Sequence, residues 1–301
     1  MRKRVTPKAL WLVLKASFGK WVDKDPFRES AVIAYYSIFS LPGLLVVVFT
    51  IASYFFSEEA LHGALHRQIS RSIGPSAADQ VGEIMAKAST STESIWAAIL
   101  GVITILVGAT GVFAQLQTSL NTIWEVKAEK KKSGIWLYLK TRLFSFGLIV
   151  SIAFLLLVSL VVTSIITAMS SWIEVHWPEF ILFLFQAFNL LFSLGLVTVL
   201  FALMFKALPD VKIEWQNVWV GALLTSVLFA IGKSALGIYF GKADPGSGYG
   251  AAGSVVLILL WVSYTSMILF FGAEFTRIYA ETFHGEMKPN ELAVKSESTV
   301  P

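Results

Sequence analysis

Phe180-Ile-Leu-Phe-Leu-Phe-Gln-Ala-Phe-Asn-Leu-Leu-Phe-Ser-Leu-Gly-Leu-Val-Thr-Val-Leu-Phe-Ala-Leu-Met-Phe205 is a run of 26 residues without one charge. A helix rises 1.5 Å per residue, so about 20 residues cross the roughly 30 Å hydrocarbon core of a bilayer. This stretch is long enough to cross with some tilt. Five others pass the same test: Ala31–Phe56, Ile95–Ala114, Leu143–Met169, Asn217–Gly241 and Ala251–Ala273. Alternating ten-residue barrel strands are absent from the sequence. Helices are then the remaining way to satisfy the backbone in lipid. The expected fold is an all-α polytopic membrane protein with six transmembrane helices.

Composition agrees. The chain has 301 residues, 55% hydrophobic and 15% charged, against about 25% charged in ordinary soluble domains. It has no cysteine, which removes disulfides, thiolate–zinc sites and thiol nucleophiles together. Charges gather between the apolar runs, and their sign sets an orientation. Eight Lys and Arg precede the first span, six lie between the second and third, two between the fourth and fifth, and three after the sixth, 19 of 24 in all. Both termini are therefore expected in the cytoplasm. Spans one to three and four to six then start on opposite sides, which permits an inverted 3+3 arrangement. The net charge of +4 follows from this asymmetry and implies no nucleic-acid partner.

Three regions are expected. Residues 1–30 form a cytoplasmic amphipathic segment, in which Leu10, Trp11, Leu14, Phe18, Trp21 and Val22 recur at helical spacing among lysines. It suits either an interfacial helix on anionic lipid or a helix docked on the bundle. Residues 31–280 form the membrane domain, with an extracytoplasmic cap at 57–94. There, two short amphipathic helices are expected on either side of Gly74–Pro75. Residues 281–301 form a polar cytoplasmic tail, expected to be disordered after about Gly285. No cleavable signal peptide is visible.

Polar groups inside spans mark candidate function, because each charge there is costly. Lys233 in span five, with Gln186 and Asn189 three apart in span four, makes an outer group. Tyr35 and Tyr36 in span one, Gln115 closing span two, and Glu274 at the inner end of span six make an inner group. The two groups together would form a substrate pathway. The plainer readings are snorkelling for Lys233, an i+3 pair with Arg277 for Glu274 and interhelical hydrogen bonds for the rest. Pro42 and Gly43 invite a kink in span one, and Gly237-x-x-x-Gly241 invites close packing in span five. Lys127, Lys130, Lys131 and Lys132 form a basic cluster suited to anionic headgroups.

No catalytic constellation, nucleotide motif or cofactor motif is present in the sequence. His62 and His66 lie at i, i+4, with Glu58 and Glu59 nearby, but a zinc site is not expected. His176 and His284 fall on opposite sides of the membrane.

Ala34-Tyr-Tyr-Ser-Ile-Phe-Ser-Leu-Pro42, Asn121-Thr-Ile-Trp124, Leu208-Pro209, Trp215, Gly221-Ala222, Tyr249-Gly-Ala-Ala-Gly-Ser254, Trp261 and Gly272-Ala-Glu274 together resemble the YihY/BrkB family of bacterial inner-membrane proteins. The resemblance covers about residues 15–285 and implies six helices in the inner membrane. The family carries an old label of tRNA-processing ribonuclease, and some members are linked to serum resistance or lipid A-related export. A transporter or flippase for an amphiphilic envelope substrate fits the residues best. A non-transporting membrane scaffold is the alternative. A ribonuclease is disfavoured, since no metal-binding carboxylates or His pair gather on the cytoplasmic side.

Overall fold

The computed structural model describes residues 6–53, 57, 62–63, 65–67, 69–70, 74–90, 111–128, 179–243, 245–285, 287–290 and 293–295. The third expected span, Leu143–Met169, most of the second, and Lys130, Lys131, Lys132, Glu58, Glu59 and His176 lie outside them.

Helix α1 (Pro7–Asp23) starts where a helix should. Thr6 caps it by accepting from the Ala9 amide at 3.2 Å, and Pro7 sits at a position whose N–H would be unsatisfied anyway. It ends at Lys24, and Asp25 adopts a left-handed φ of 49°. Pro26 then opens α2 (Pro26–Ser53), which runs helically through Pro42 and Gly43. Gly74, at φ 109°, breaks the chain before α3 (Pro75–Thr90), at the expected point in the cap. Helix α4 covers residues 111–123 and leads through Glu125, also left-handed at φ 55°, into strand β1 (Val126–Ala128).

Helices α5 (Glu179–Ala207), α6 (Trp215–Ala243) and α7 (Gly253–Phe283) follow. Among the described residues, three helices are long and apolar enough to cross a membrane, and these are the three. Strand β2 (Val211–Lys212) lies between α5 and α6, and a 3-10 turn (Ser247–Ala252) precedes α7. Helix α7 is the hub, packing against α1, α2, α3 and α6. Much of the outer surface is apolar, with Phe183, Leu190, Leu191, Ile231 and Ile238 all exposed, as lipid-facing positions require.

The contact of α6 with α7 depends on two reciprocal pairs. A Cβ on Gly221 would collide with Thr276, and a Cβ on Gly272 would collide with Thr225. Each threonine turns its hydroxyl back to the carbonyl four residues earlier, Thr225 to Gly221 and Thr276 to Gly272, both at 2.7 Å. The polar atoms are thereby satisfied within each helix, and the backbones approach closely. Tyr264 fills the notch at Gly232 in the same way. At Gly237 and Gly241, by contrast, an added Cβ would meet nothing.

The tail departs from the expectation of disorder. Strand β3 (Lys288–Pro289) pairs antiparallel with β2, and β4 (Ala293–Lys295) pairs antiparallel with β1. The Asn290 amide donates to the Asp210 carbonyl at 3.0 Å, and Ala293 is buried. A polar segment can be ordered without a core of its own when other loops offer open backbone groups.

Replacing Gly221 by Ala should destabilise the folded protein by about 1–3 kcal/mol, the usual range for overpacking. The same change at Gly195, where a Cβ meets open space, should be near neutral. Thermal unfolding of the purified chain in detergent measures both, and equal melting temperatures for the two variants would refute the packing assignment.

Candidate functional site

The site lies at the end of the bundle that gathers the α1–α2 junction, the α4–β1 turn, the C-terminal part of α7 and the tail. At its centre the Glu274 carboxylate is 0% exposed. An unpaired buried carboxylate is prohibitively costly, and two cations meet this one. Lys24 Nζ donates to Oε2 at 2.9 Å, while Arg277 Nη2 and Nε donate to Oε1 at 2.5 and 3.2 Å. Lys24 also donates to the Ile123 carbonyl at 2.8 Å, at the end of α4. Glu125 lies 3.6 Å from Lys24 and 3.2 Å from Arg277, and Glu281 lies 3.1 Å from Arg277. Glu274 thus ties α7 to the α1–α2 junction, and Lys24 and Glu125 carry the link on to the α4–β1 turn.

Among the described residues, the two non-glycines with left-handed φ, Asp25 and Glu125, both belong to this junction. The first directly follows Lys24, and the second supplies a carboxylate. Such conformations persist where the surroundings over-determine them. Glu125 is held in this way by Lys24 and Arg277.

Beside the cluster is a cavity of about 20 Å³, lined in part by Trp21, Lys24, Glu29, Ser119, Phe270 and Glu274. That is room for about one water. The buried Trp21 indole N–H has no partner among the described residues. From the cavity a polar file runs along the α2–α4 contact. Ser119 donates to Glu29 at 2.7 Å, and Gln115 donates to Ser119 at 3.4 Å. Deeper, Ser30 and Ser263 share a hydrogen bond of 3.1 Å between α2 and α7, and Thr198 and Ser226 share one of 2.7 Å between α5 and α6.

A second polar knot stands on the same end. The Asn121 amide donates to the Asp210 carboxylate at 2.9 Å, and its carbonyl accepts from the Asp210 backbone N–H at 2.8 Å. Asn290 of the tail donates to the other carboxylate oxygen at 3.0 Å. The short motifs Asn121–Trp124 and Leu208–Pro209, far apart in sequence, are therefore neighbours, with Asp210 joining them.

The candidate residues from the sequence separate as follows. Glu274 pairs with Arg277 at i+3 and also with Lys24, which counted only toward orientation in the sequence. Gln115 joins the file that begins at Glu29, through Ser119. Tyr36 packs on Gly111, and Tyr35 is exposed against Phe39. Lys233 is half-buried in α6, ten residues before its end, and Asn189 is half-buried ten residues into antiparallel α5. They stand at matching depth, and Asn189 Oδ1 has no partner among the described residues. Gln186 is exposed. Lys127 is exposed in β1 opposite Val294. In the cap, His66 pairs with Asp79 at 2.9 Å. Among the described residues no group of three His, Asp or Glu is placed to hold a metal ion.

These features define a helical membrane protein with a buried charge cluster at one end. The family model described as Virulence factor BrkB matches residues 17–296. The chain belongs to that family. A UPF0761 membrane protein of Alteromonas mediterranea is 25% identical over 256 residues, covering 84% of this chain and 83% of that one. UPF0761 membrane proteins of Pseudomonas paraeruginosa and Saccharophagus degradans are each 26% identical, over 255 and 265 residues. This chain spans 58% of the length of each of those two. No solved structure matches it.

Exchanging Glu274 for Gln should cost about 3–5 kcal/mol, because it leaves Lys24 and Arg277 facing a neutral amide inside the protein. Arg28→Gln, at an exposed pair 3.4 Å from Glu29, should cost less than about 1 kcal/mol. Unfolding in detergent, followed by tryptophan fluorescence, distinguishes them.

Proposed function

We propose that the chain is a six-span protein of the bacterial cytoplasmic membrane, with both termini inside, that moves an amphiphilic envelope substrate across the bilayer. The orientation is supported by the clustering of α1, β1, β2 and the tail at the end where the Lys and Arg excess lies. Helix α5 runs 29 residues, about 43 Å at 1.5 Å each, so Glu179 stands far from that end while Ala128 stands on it. One crossing between them, by the apolar stretch Leu143–Met169, supports the six-span reading. Two halves of three spans would then run in opposite senses, as an inverted pair does.

The observation that carries the transport reading is the fully buried Glu274 carboxylate, held by a cation from outside the span. The α6–α7 contact, by comparison, uses small residues and hydroxyls, as at Gly221–Thr276, and the α1–α7 contact uses apolar side chains. A charge cluster at the inner mouth, with polar groups leading inward from Glu29 to Gln115 and a second set at Asn189 and Lys233, suits a closed gate on an amphiphile's route. Opening would separate Lys24 from Glu274. In this reading Pro42 and Gly43 are the hinge of α2, and Lys127 with its neighbouring lysines holds anionic headgroups at the mouth. With no nucleotide motif in the sequence, energy would come from a gradient or a partner.

The test is reconstitution of the full chain in liposomes containing a trace of fluorescent phospholipid, with and without imposed proton and sodium gradients. Protein-dependent exposure of inner-leaflet probe to an aqueous reductant is expected, faster in Lys24→Gln, whose gate is loosened. Reduction no greater than in protein-free vesicles under every gradient would overturn the proposal.

A further inference from the structure

One face of α1 is committed to the protein. Val13 and Ser17 are buried, and Val13 clusters with Phe275, Tyr279 and Phe283 of α7, supported by Ala9, Leu10 and Leu14. The opposite face carries Lys8, Trp11, Lys15, Phe18 and Val22, at the three- and four-residue spacing that lines up one stripe of a helix. All five are exposed, Trp11 at 64% and Phe18 at 57%. A stripe of alternating ammonium groups and large apolar side chains suits neither plain water nor hydrocarbon.

Its level in the membrane follows from the length of α7. That helix has 31 residues, about 46 Å at 1.5 Å each, against roughly 30 Å of hydrocarbon. The apolar part is used up near Ala273, where the sequence turns to Glu274, Thr276, Arg277 and Glu281. The last ten residues therefore rise into the headgroup layer, and α1 packs against them. At that level the rings can sit among upper acyl carbons while the lysine stems carry their charges outward.

We infer that the outward stripe of α1 is a binding surface for anionic lipid headgroups, with Lys8 and Lys15 meeting phosphate and Trp11 and Phe18 inserted beside it. The occupant is the leaflet itself, matched by charge and by the apolar rings at one depth. The surface has a consequence for the buried cluster, because α1 ends at Lys24, the residue that reaches Glu274. Lipid contact along α1 sets the position of that lysine. None of this requires transport activity, so the two proposals fail separately.

The absence of cysteine makes the experiment direct. Phe18→Cys and, independently, Trp11→Cys carry an environment-sensitive fluorophore in the full chain, in nanodiscs of phosphatidylcholine with or without phosphatidylglycerol. Lys288→Cys, exposed on β3, is the comparator. Quenchers borne on acyl chains should act several-fold more strongly at positions 18 and 11 than at 288, and more so with phosphatidylglycerol. High salt, or Lys8→Gln with Lys15→Gln, should erase the dependence on lipid charge while quenching by acyl chains persists. Aqueous iodide reaching positions 18 and 11 as readily as 288 would overturn the inference. A lipid-charge dependence that is missing, or that survives in the double variant, would overturn it equally.

Discussion

A carboxylate removed wholly from water must be neutralised where it stands, and that requirement organises one end of this protein. Glu274 cannot be buried on α7 unless Lys24 and Arg277 reach it. Arg277 comes from the same helix, one turn on, so it needs no tertiary arrangement. Lys24 comes from the α1–α2 junction and brings that junction against α7. Its remaining bond goes to the carbonyl of Ile123, which fixes the end of α4. Glu125, turned inward by a left-handed backbone, then balances part of the positive charge. Removing the Glu274 carboxylate would leave half-exposed Glu125 as the carboxylate still shared by Lys24 and Arg277.

On the opposite side of α7 the stabilising chemistry changes. Lipid offers no hydrophobic incentive for helices to associate, so close van der Waals contact and satisfied hydroxyls must do it. Gly221 and Gly272 admit Thr276 and Thr225, and each threonine is already bonded to its own helix. The contact therefore asks for no polar partner across the interface. Helix α7 carries both kinds of interaction, ionic at Glu274 and steric at Gly272, within one turn. A shift of α7 that opened one would disturb the other, so the two are mechanically coupled.

The helical membrane character was legible because it depends on local composition: an uncharged run such as Phe180–Phe205 has few alternatives. The Gly74–Pro75 break and the Glu274–Arg277 pair were legible for the same reason, being contained within a few residues. What escaped depends on contacts between distant segments. Lys24 looked like one more cytoplasmic lysine, because nothing in its neighbourhood says that it points at α7. Gly237 and Gly241 carried the recognised spacing, while close packing occurs at Gly221 and Gly272, whose partner four residues on is threonine rather than glycine. The tail looked disordered because composition records the lack of a core and not the open edges of Val126–Ala128 and Val211–Lys212 that receive it.

The same distinction explains why motifs scattered along the chain converge. Asn121 and Asp210 lie 89 residues apart in sequence, yet each satisfies the other's backbone or side chain, and Asn290 completes the carboxylate. The loops at this end also bury apolar side chains together, Val126, Leu208, Val211, Ile213 and Ala293 all joining the main apolar cluster. Reciprocal amide–carboxylate bonds add direction to that burial and fix how the loops meet. At this end apolar burial and directional bonds act on the same loops, so the polar bonds choose the register in which the buried side chains meet.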